Sequence, residues 1–260
     1  MKRARTLKFK ISILYCTLSC TSVVVFYKLV IGGQRKPPMR SYQPETLGMR
    51  PIVISAVALR HGRVQLVQML RDRPAMRQYV QPNDPLWTWC VRQFAGEGVG
   101  QTVDWHNEPP LSDEFECDST PFSRFIRVRS HFPHEPARKH NGEELWAAAV
   151  YELCNLQSSK RYNALLELAR DRKMNKDEWV KAMCEVEYGT MRNTNCVYNT
   201  IWSPLMRERG LPTNSSIYLW GCLVPESFEE WYQQYKRAPN AFISNYEALY
   251  QDSSGAPSIK

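Results

Sequence analysis

The sequence predicts an α+β fold, with an N-terminal transmembrane helix followed by one extracytoplasmic domain in which mixed short strands precede a mainly α-helical C-terminal half. Three observations carry this expectation. Residues 11–31 contain a single charged side chain, Lys28; all eight Trp lie between Trp87 and Trp231; and from Asn141 onward apolar residues recur at helical spacing behind successive N-cap signals. With 260 residues, 43% apolar and 12% aromatic, the composition excludes collagen-like and disordered classes and suits a chain with one sizeable core.

Residues 1–10 read as a basic cytoplasmic tail holding Lys2, Arg3, Arg5, Lys8 and Lys10. The run from Ile11 to Ile31 is 21 residues long. At about 1.5 Å per residue it spans a hydrocarbon core of roughly 30 Å, with Lys28 near enough to the end to snorkel. An uncleaved anchor is the leading reading of this segment. A cleaved signal peptide would want small residues after the apolar core, where the chain reads FYKLVIGG, and a lipid anchor on Cys20 would want Leu where Thr17 stands. The basic tail keeps the N-terminus inside, and a large following domain crosses regardless of the charges after the span. Residues 32–50 hold three Pro without apolar periodicity and read as an exposed stem, leaving 51–251 as the domain and 252–260 as a disordered tail.

The net charge of +8 lies in the first 40 residues, which carry nine basic and no acidic side chains; beyond them 25 basic residues face 26 acidic ones. Nucleic acid is therefore excluded as the expected partner, and the partner read from the sequence is the membrane, through residues 11–31. Inside the domain, residues 41–80 hold six Arg against two acids and residues 81–120 hold eight acids against one base, a pattern of facing or separately solvated surfaces.

Along the domain, residues 51–70 read as a β-branched strand and then a helix. Pro82 and Pro85 punctuate a Trp-rich segment, and Gly96, Gly98 and Gly100 suggest a short hairpin before Thr102–Trp105. Residues 106–121 are acidic and Pro-bearing, a surface loop, while 122–130 alternate well enough for one strand with a basic face. Asn141 with Glu144 has the form of a capping box before an apolar helix buried on most sides. A helix over Tyr162 to Asp171 follows, then a longer one capped by Asn175 with Glu178 and ended by Pro204. Ser227 with Glu230 caps another, and a last helix includes Phe242 to Tyr250.

Six cysteines lie outside the span: Cys90, Cys117, Cys154, Cys184, Cys196 and Cys222. They allow up to three disulfides outside the cytoplasm, or serve as ordinary buried thiols. No pair has C-x₂-C spacing, so neither a metal nor a cofactor is expected. Asn214-Ser215-Ser216 matches a glycosylation acceptor that matters only in a eukaryotic secretory route.

Candidate chemistry is sparse. His131, His134 and His140, with Glu135 and Glu144 nearby, supply metal-ligating types, but HFPHEPARKH has two Pro and offers no regular element to hold them. Tyr151-Glu152-Leu153-Cys154-Asn155 occupies the frame of the zinc helix H-E-x-x-H, with Glu152 in the base position and Tyr and Asn where both imidazoles would stand. Glu185 or Glu187 could supply a downstream acid, yet a site without imidazoles does not hold zinc. The plainer account pairs Glu152 and Asn155 with Arg192 or Tyr188 inside a buried helix. Gly96-Glu97-Gly98-Val99-Gly100 lacks the spacing and the following helix of a nucleotide loop, and no Walker loop, G-x-S-x-G elbow or Asp-x-Asp of a metal-dependent glycosyltransferase occurs. The leading functional reading is a single-pass, membrane-anchored extracytoplasmic domain with a binding or structural role and no assigned catalytic residue. The alternative is a membrane-tethered hydrolase drawing on Glu152, Glu185, Glu187 and the His131, His134 and His140 group.

Overall fold

The structure, a computed structural model, describes residues 54–107, 117–119, 124–132, 135–237 and 241–254. Within them the chain is mixed α+β, mainly helical with a few short strands. The predicted span and stem lie outside the described residues, and none of the described helices is long and apolar enough to cross a membrane.

The chain enters helix α1 (Ala56–Asp72) at Ser55, whose hydroxyl accepts the Ala58 N–H at 3.1 Å. The strand expected in the first half of 51–70 is replaced by this helix. The cause is tertiary: α1 crosses helix α2 (Pro85–Phe94) at Gly62, where a Cβ would stand 2.1 Å from the Val91 carbonyl oxygen, so only glycine lets the two backbones meet. α2 is capped by Asp84, which accepts the Trp87 N–H, with Pro85 in the first turn where its missing N–H costs nothing.

The glycines after α2 form a compact turn rather than a hairpin. Strand β1 (Asp104–Trp105) finds its partner in strand β3 (Phe125–Val128), in parallel, and strand β2 (Cys117–Ser119) pairs antiparallel on the other side of β3. Residues 117–119 thus correct the surface-loop reading for that part of the acidic segment. The strand expected in 122–130 is present as β3, but its basic face is not an outward one, since Arg127 is buried. A second ladder joins β4 (His131–Phe132) to β5 (Glu135–Lys139).

Helix α3 (Gly142–Gln157) is the centre of the molecule, buried along nearly its whole length and in contact with α2, the sheet and the two helices that follow it. Its capping box is complete: Asn141 accepts the Glu143 and Glu144 N–H groups while Glu144 reaches back to the Asn141 N–H at 2.8 Å. Glu143, in the same first turn, is buried and accepts the Trp202 indole N–H at 3.1 Å and the Asn214 N–H at 2.9 Å, tying the start of α3 to the far half of the chain. Helix α4 (Ser159–Arg170) follows with only Ser158 between.

Helix α5 (Lys176–Val197) starts as expected at Asn175, which accepts the Glu178 N–H at 3.0 Å. Pro204 does not end the helical path. A π turn over Tyr198–Trp202 adds a residue per turn, so Pro204 falls in the first turn of helix α6 (Ser203–Glu208) and the chain continues through it. Trp202 on that turn sits 5.0 Å from Trp220 and 6.3 Å from Trp146 between ring centres, in the interior the Trp distribution anticipates. Helix α7 (Phe228–Arg237) begins with the Ser227 hydroxyl accepting the Glu230 N–H, and helix α8 (Ala241–Ser254) runs four residues past the expected Tyr250, into the stretch read as a tail.

Candidate functional site

Helix α5 carries chemistry on two opposite faces. Inward, Glu187 is 0% exposed and Glu152, on α3, is 2% exposed, so neither carboxylate faces an open pocket. The Tyr246 hydroxyl donates to Glu187 Oε2 at 3.2 Å, the Tyr162 hydroxyl approaches the same oxygen at 3.4 Å, and the two phenols are 2.7 Å apart. Burial pushes the Glu187 carboxyl up to about 7 against the smaller opposing effect of the Tyr246 hydrogen bond. The phenols rise too: burial first, and then the nearby carboxyl of Glu187, hold Tyr246 well above the usual tyrosine range. Glu187, Tyr162 and Tyr246 therefore form a closed hydrogen-bonded knot joining α5, α4 and α8, without the water access that hydrolysis needs.

The remaining predicted residues do not assemble around it. Glu185 faces solvent and pairs with Arg161. The Thr190 hydroxyl reaches the Asn155 side-chain oxygen at 3.5 Å, and Tyr151 is fully buried, so the H-E-x-x-H frame lies inside the core. The Tyr188 hydroxyl donates to the carbonyls of Pro225 and Glu226. The histidine segment is regular rather than a solvated loop, because β4 and β5 pair through it. His131 meets the Ser130 hydroxyl at 2.8 Å, His140 is buried 3.7 Å from Glu144, and His134 lies outside the described residues. Among the described residues no group of three or more His, Cys, Asp or Glu side chains converges to hold a metal ion.

The thiols resolve toward the buried reading. Cys90, Cys154, Cys184 and Cys196 are free thiols, the first three buried, and burial pushes Cys154 and Cys184 up to about 12. The Cys117 side chain lies outside the described residues.

Outward, α5 floors an open groove of about 430 Å³. Its walls are Ser158 and Arg161 from the α3–α4 junction, Tyr188, Arg192 and Asn193 from α5, and Glu226 at one end. Gly189 lies at its base, in mid-helix, and a Cβ built there would meet no atom within 4 Å. A glycine costs a helix interior about 1 kcal/mol relative to alanine, so this position trades helix stability for open space. Arg161 has its charge matched by Glu185, whereas half-buried Arg192 has no hydrogen-bond or ion-pair partner among the described residues. A guanidinium held in a fixed groove with its donors unused is suited to a carboxylate or phosphate. Sequence reading reached Arg192 only as a partner for the core; the signal that could have placed it is the helix-weakening Gly189 one turn before it.

Comparison of the chain with models of known protein families, with curated proteins and with solved structures finds no match.

Proposed function

We propose that this chain is a membrane-tethered binding domain whose ligand, bearing a carboxylate or phosphate, sits in the groove over Gly189 with Arg192 as its anchor. The observation that carries the reading is the unmatched Arg192 guanidinium above a glycine floor. The tether rests on the uncharged run before Lys28, and a binding role is supported by where polar groups are spent: the carboxylates knot the interior while the open groove keeps an unused cation. One charge-assisted contact of this kind contributes about 1.5–3 kcal/mol.

The test is thermal unfolding of the full chain in nanodiscs, titrated with inorganic phosphate and with citrate against chloride at equal ionic strength. Ligand bound to the folded state raises the unfolding temperature with concentration. The expected result is a rise with one of these probes that Arg192→Gln reduces at least tenfold in apparent affinity, that Gly189→Met abolishes by filling the groove, and that Gly189→Ala keeps. A rise indifferent to all three substitutions, or no rise with either probe, overturns the groove as the site. The tether is tested separately, by digestion of a C-terminal tag from outside intact spheroplasts with the chain at full length.

A further inference from the structure

Helix α1 divides its circumference into three. Gly62, Leu66, Met69 and Leu70 are buried toward α2 and the core. His61, Gln65 and Asp72 face β1: His61 Nε2 meets the Val103 carbonyl at 3.0 Å, the Trp105 N–H donates to Gln65 at 2.8 Å, and the Trp105 indole donates to Asp72 at 2.8 Å. The third arc, roughly 120° wide at 3.6 residues per turn, carries Val57, Arg60, Arg63, Val64, Val67 and Arg71, all exposed, the three valines by 78%, 58% and 44%.

No acid stands on this arc. Arg60 and Arg63 have no partner among the described residues, and Arg71 donates only to the neutral Gln68. The one carboxylate of α1, Asp72, is turned away to Trp105 and Gln68. Val67 and Arg71 continue into an open, mainly apolar groove of about 270 Å³ completed by Val80, Pro82 and half-buried Trp87, with Arg77 at its edge spending its Nε on the Leu70 carbonyl. Cations interleaved with exposed small apolar side chains, flanked by a Trp with one wet side, match a headgroup layer. The guanidiniums meet phosphates while Val and Trp enter the acyl boundary.

We propose that this arginine–valine face of α1 docks on an anionic lipid surface. The charge complementarity is one-sided: three guanidiniums and no acid, on a convex helix face without the recessed aromatic anchor that a protein interface centres on. The proposal rests on the tether reading in one respect. Only 24 residues separate the end of the predicted span at Ile31 from the start of α1 at Ala56, which would hold the face at high effective concentration over the bilayer.

The test reads each arginine in the full chain, reconstituted in nanodiscs of phosphatidylcholine alone or with phosphatidylglycerol, by its rate of modification with phenylglyoxal and mass spectrometry. Arg60, Arg63 and Arg71, together with exposed Arg77 at the groove edge, are expected to react roughly tenfold more slowly on the anionic discs at low salt and to recover at high salt, because the contact is screened. Exposed Arg170 and Arg207 serve as references and keep one rate throughout. The triple variant Arg60→Glu, Arg63→Glu, Arg71→Glu, all surface positions, loses the lipid-dependent protection read at Arg77, and the corresponding triple Lys variant keeps it. Equal rates on both discs overturn the proposal. So does equal protection on both discs and in detergent, which means that protein covers the face. Alkaline carbonate extraction from vesicles separates the two readings: a chain retained but unprotected refutes docking alone, and a chain released yet protected at low salt refutes the span alone.

Discussion

Replacing Glu187 by Gln should flatten the dependence of stability on pH between about 4.5 and 7. The carboxyl is fully buried against two phenols, and burial raises it from the ordinary 4.5 to about 7 in the folded chain. In the unfolded chain it ionises near 4.5. Between these values the folded state binds a proton that the unfolded state has released, so stability is fully present below about 4.5 and is lost as pH rises through about 7. At about 1.4 kcal/mol per pH unit the loss approaches about 3.5 kcal/mol. For an ordered region of this size it lowers the unfolding temperature by roughly 7–14 °C. Glutamine keeps the shape and a hydrogen-bonding oxygen for Tyr246 but never ionises. The variant should lie within about 1 kcal/mol of the wild type near pH 5 and exceed it by about 3.5 kcal/mol at pH 8. The assay is thermal unfolding of both chains, followed by circular dichroism from pH 5 to 8. Glu144, whose carboxyl is held below its ordinary value despite partial burial by His140, the Asn141 N–H and Arg138, loses its contribution only as pH falls below about 4.5, outside this window. Tyr246→Phe provides a second reading: without that hydrogen bond the Glu187 carboxyl rises further and the loss of stability extends to higher pH. A glutamine variant that declines with the wild-type slope refutes the reasoning.

Two further outcomes follow from close packing. Gly62→Ala drives a methyl into the Val91 carbonyl, a backbone atom that cannot step aside, and should destabilise the chain by roughly 3 kcal/mol, read as a lower midpoint in urea. In the folded chain iodoacetamide at pH 8 should modify half-buried Cys196 and Cys222 while leaving Cys90, Cys154 and Cys184 intact until urea is added, with mass spectrometry assigning each site; early loss of Cys154 or Cys184 would contradict their burial.

What the sequence disclosed was what local chemistry encodes. The three N-caps at Asn141, Asn175 and Ser227 were legible because a cap needs only its own side chain and an N–H three residues on. The burial of α3 was legible because apolar residues surround it on every side. Misreadings arose where a distant segment decides. The β-branched first half of 51–70 argued for a strand, yet from Ala56 onward the chain is helical, capped by Ser55 and fixed by the crossing at Gly62, whose partner Val91 is on another helix. The glycines after Phe94 argued for a hairpin, but β1 takes its hydrogen bonds from β3 across the acidic segment.

The site divides along the same line, and α5 shows why. Glu187 could be singled out as an acid in an apolar helix, but its role depends on Tyr162, 25 residues away, and Tyr246, 59 residues away, and no local pattern announces contacts at such separation. Gly189 and Arg192 lie two and five positions further along the same helix. At 100° per residue Gly189 points to nearly the opposite side from Glu187. One helix therefore fastens the core with a carboxylate on one face and keeps an unused cation on the other. The two faces are read by different variables: proton binding at Glu187 moves the stability of the whole domain, whereas Arg192 and Gly189 should move ligand response with the pH profile unchanged. A domain in which Arg192→Gln altered the pH profile, or Glu187→Gln abolished the phosphate or citrate response, would have these faces coupled through Val186, which is buried and also lines the groove.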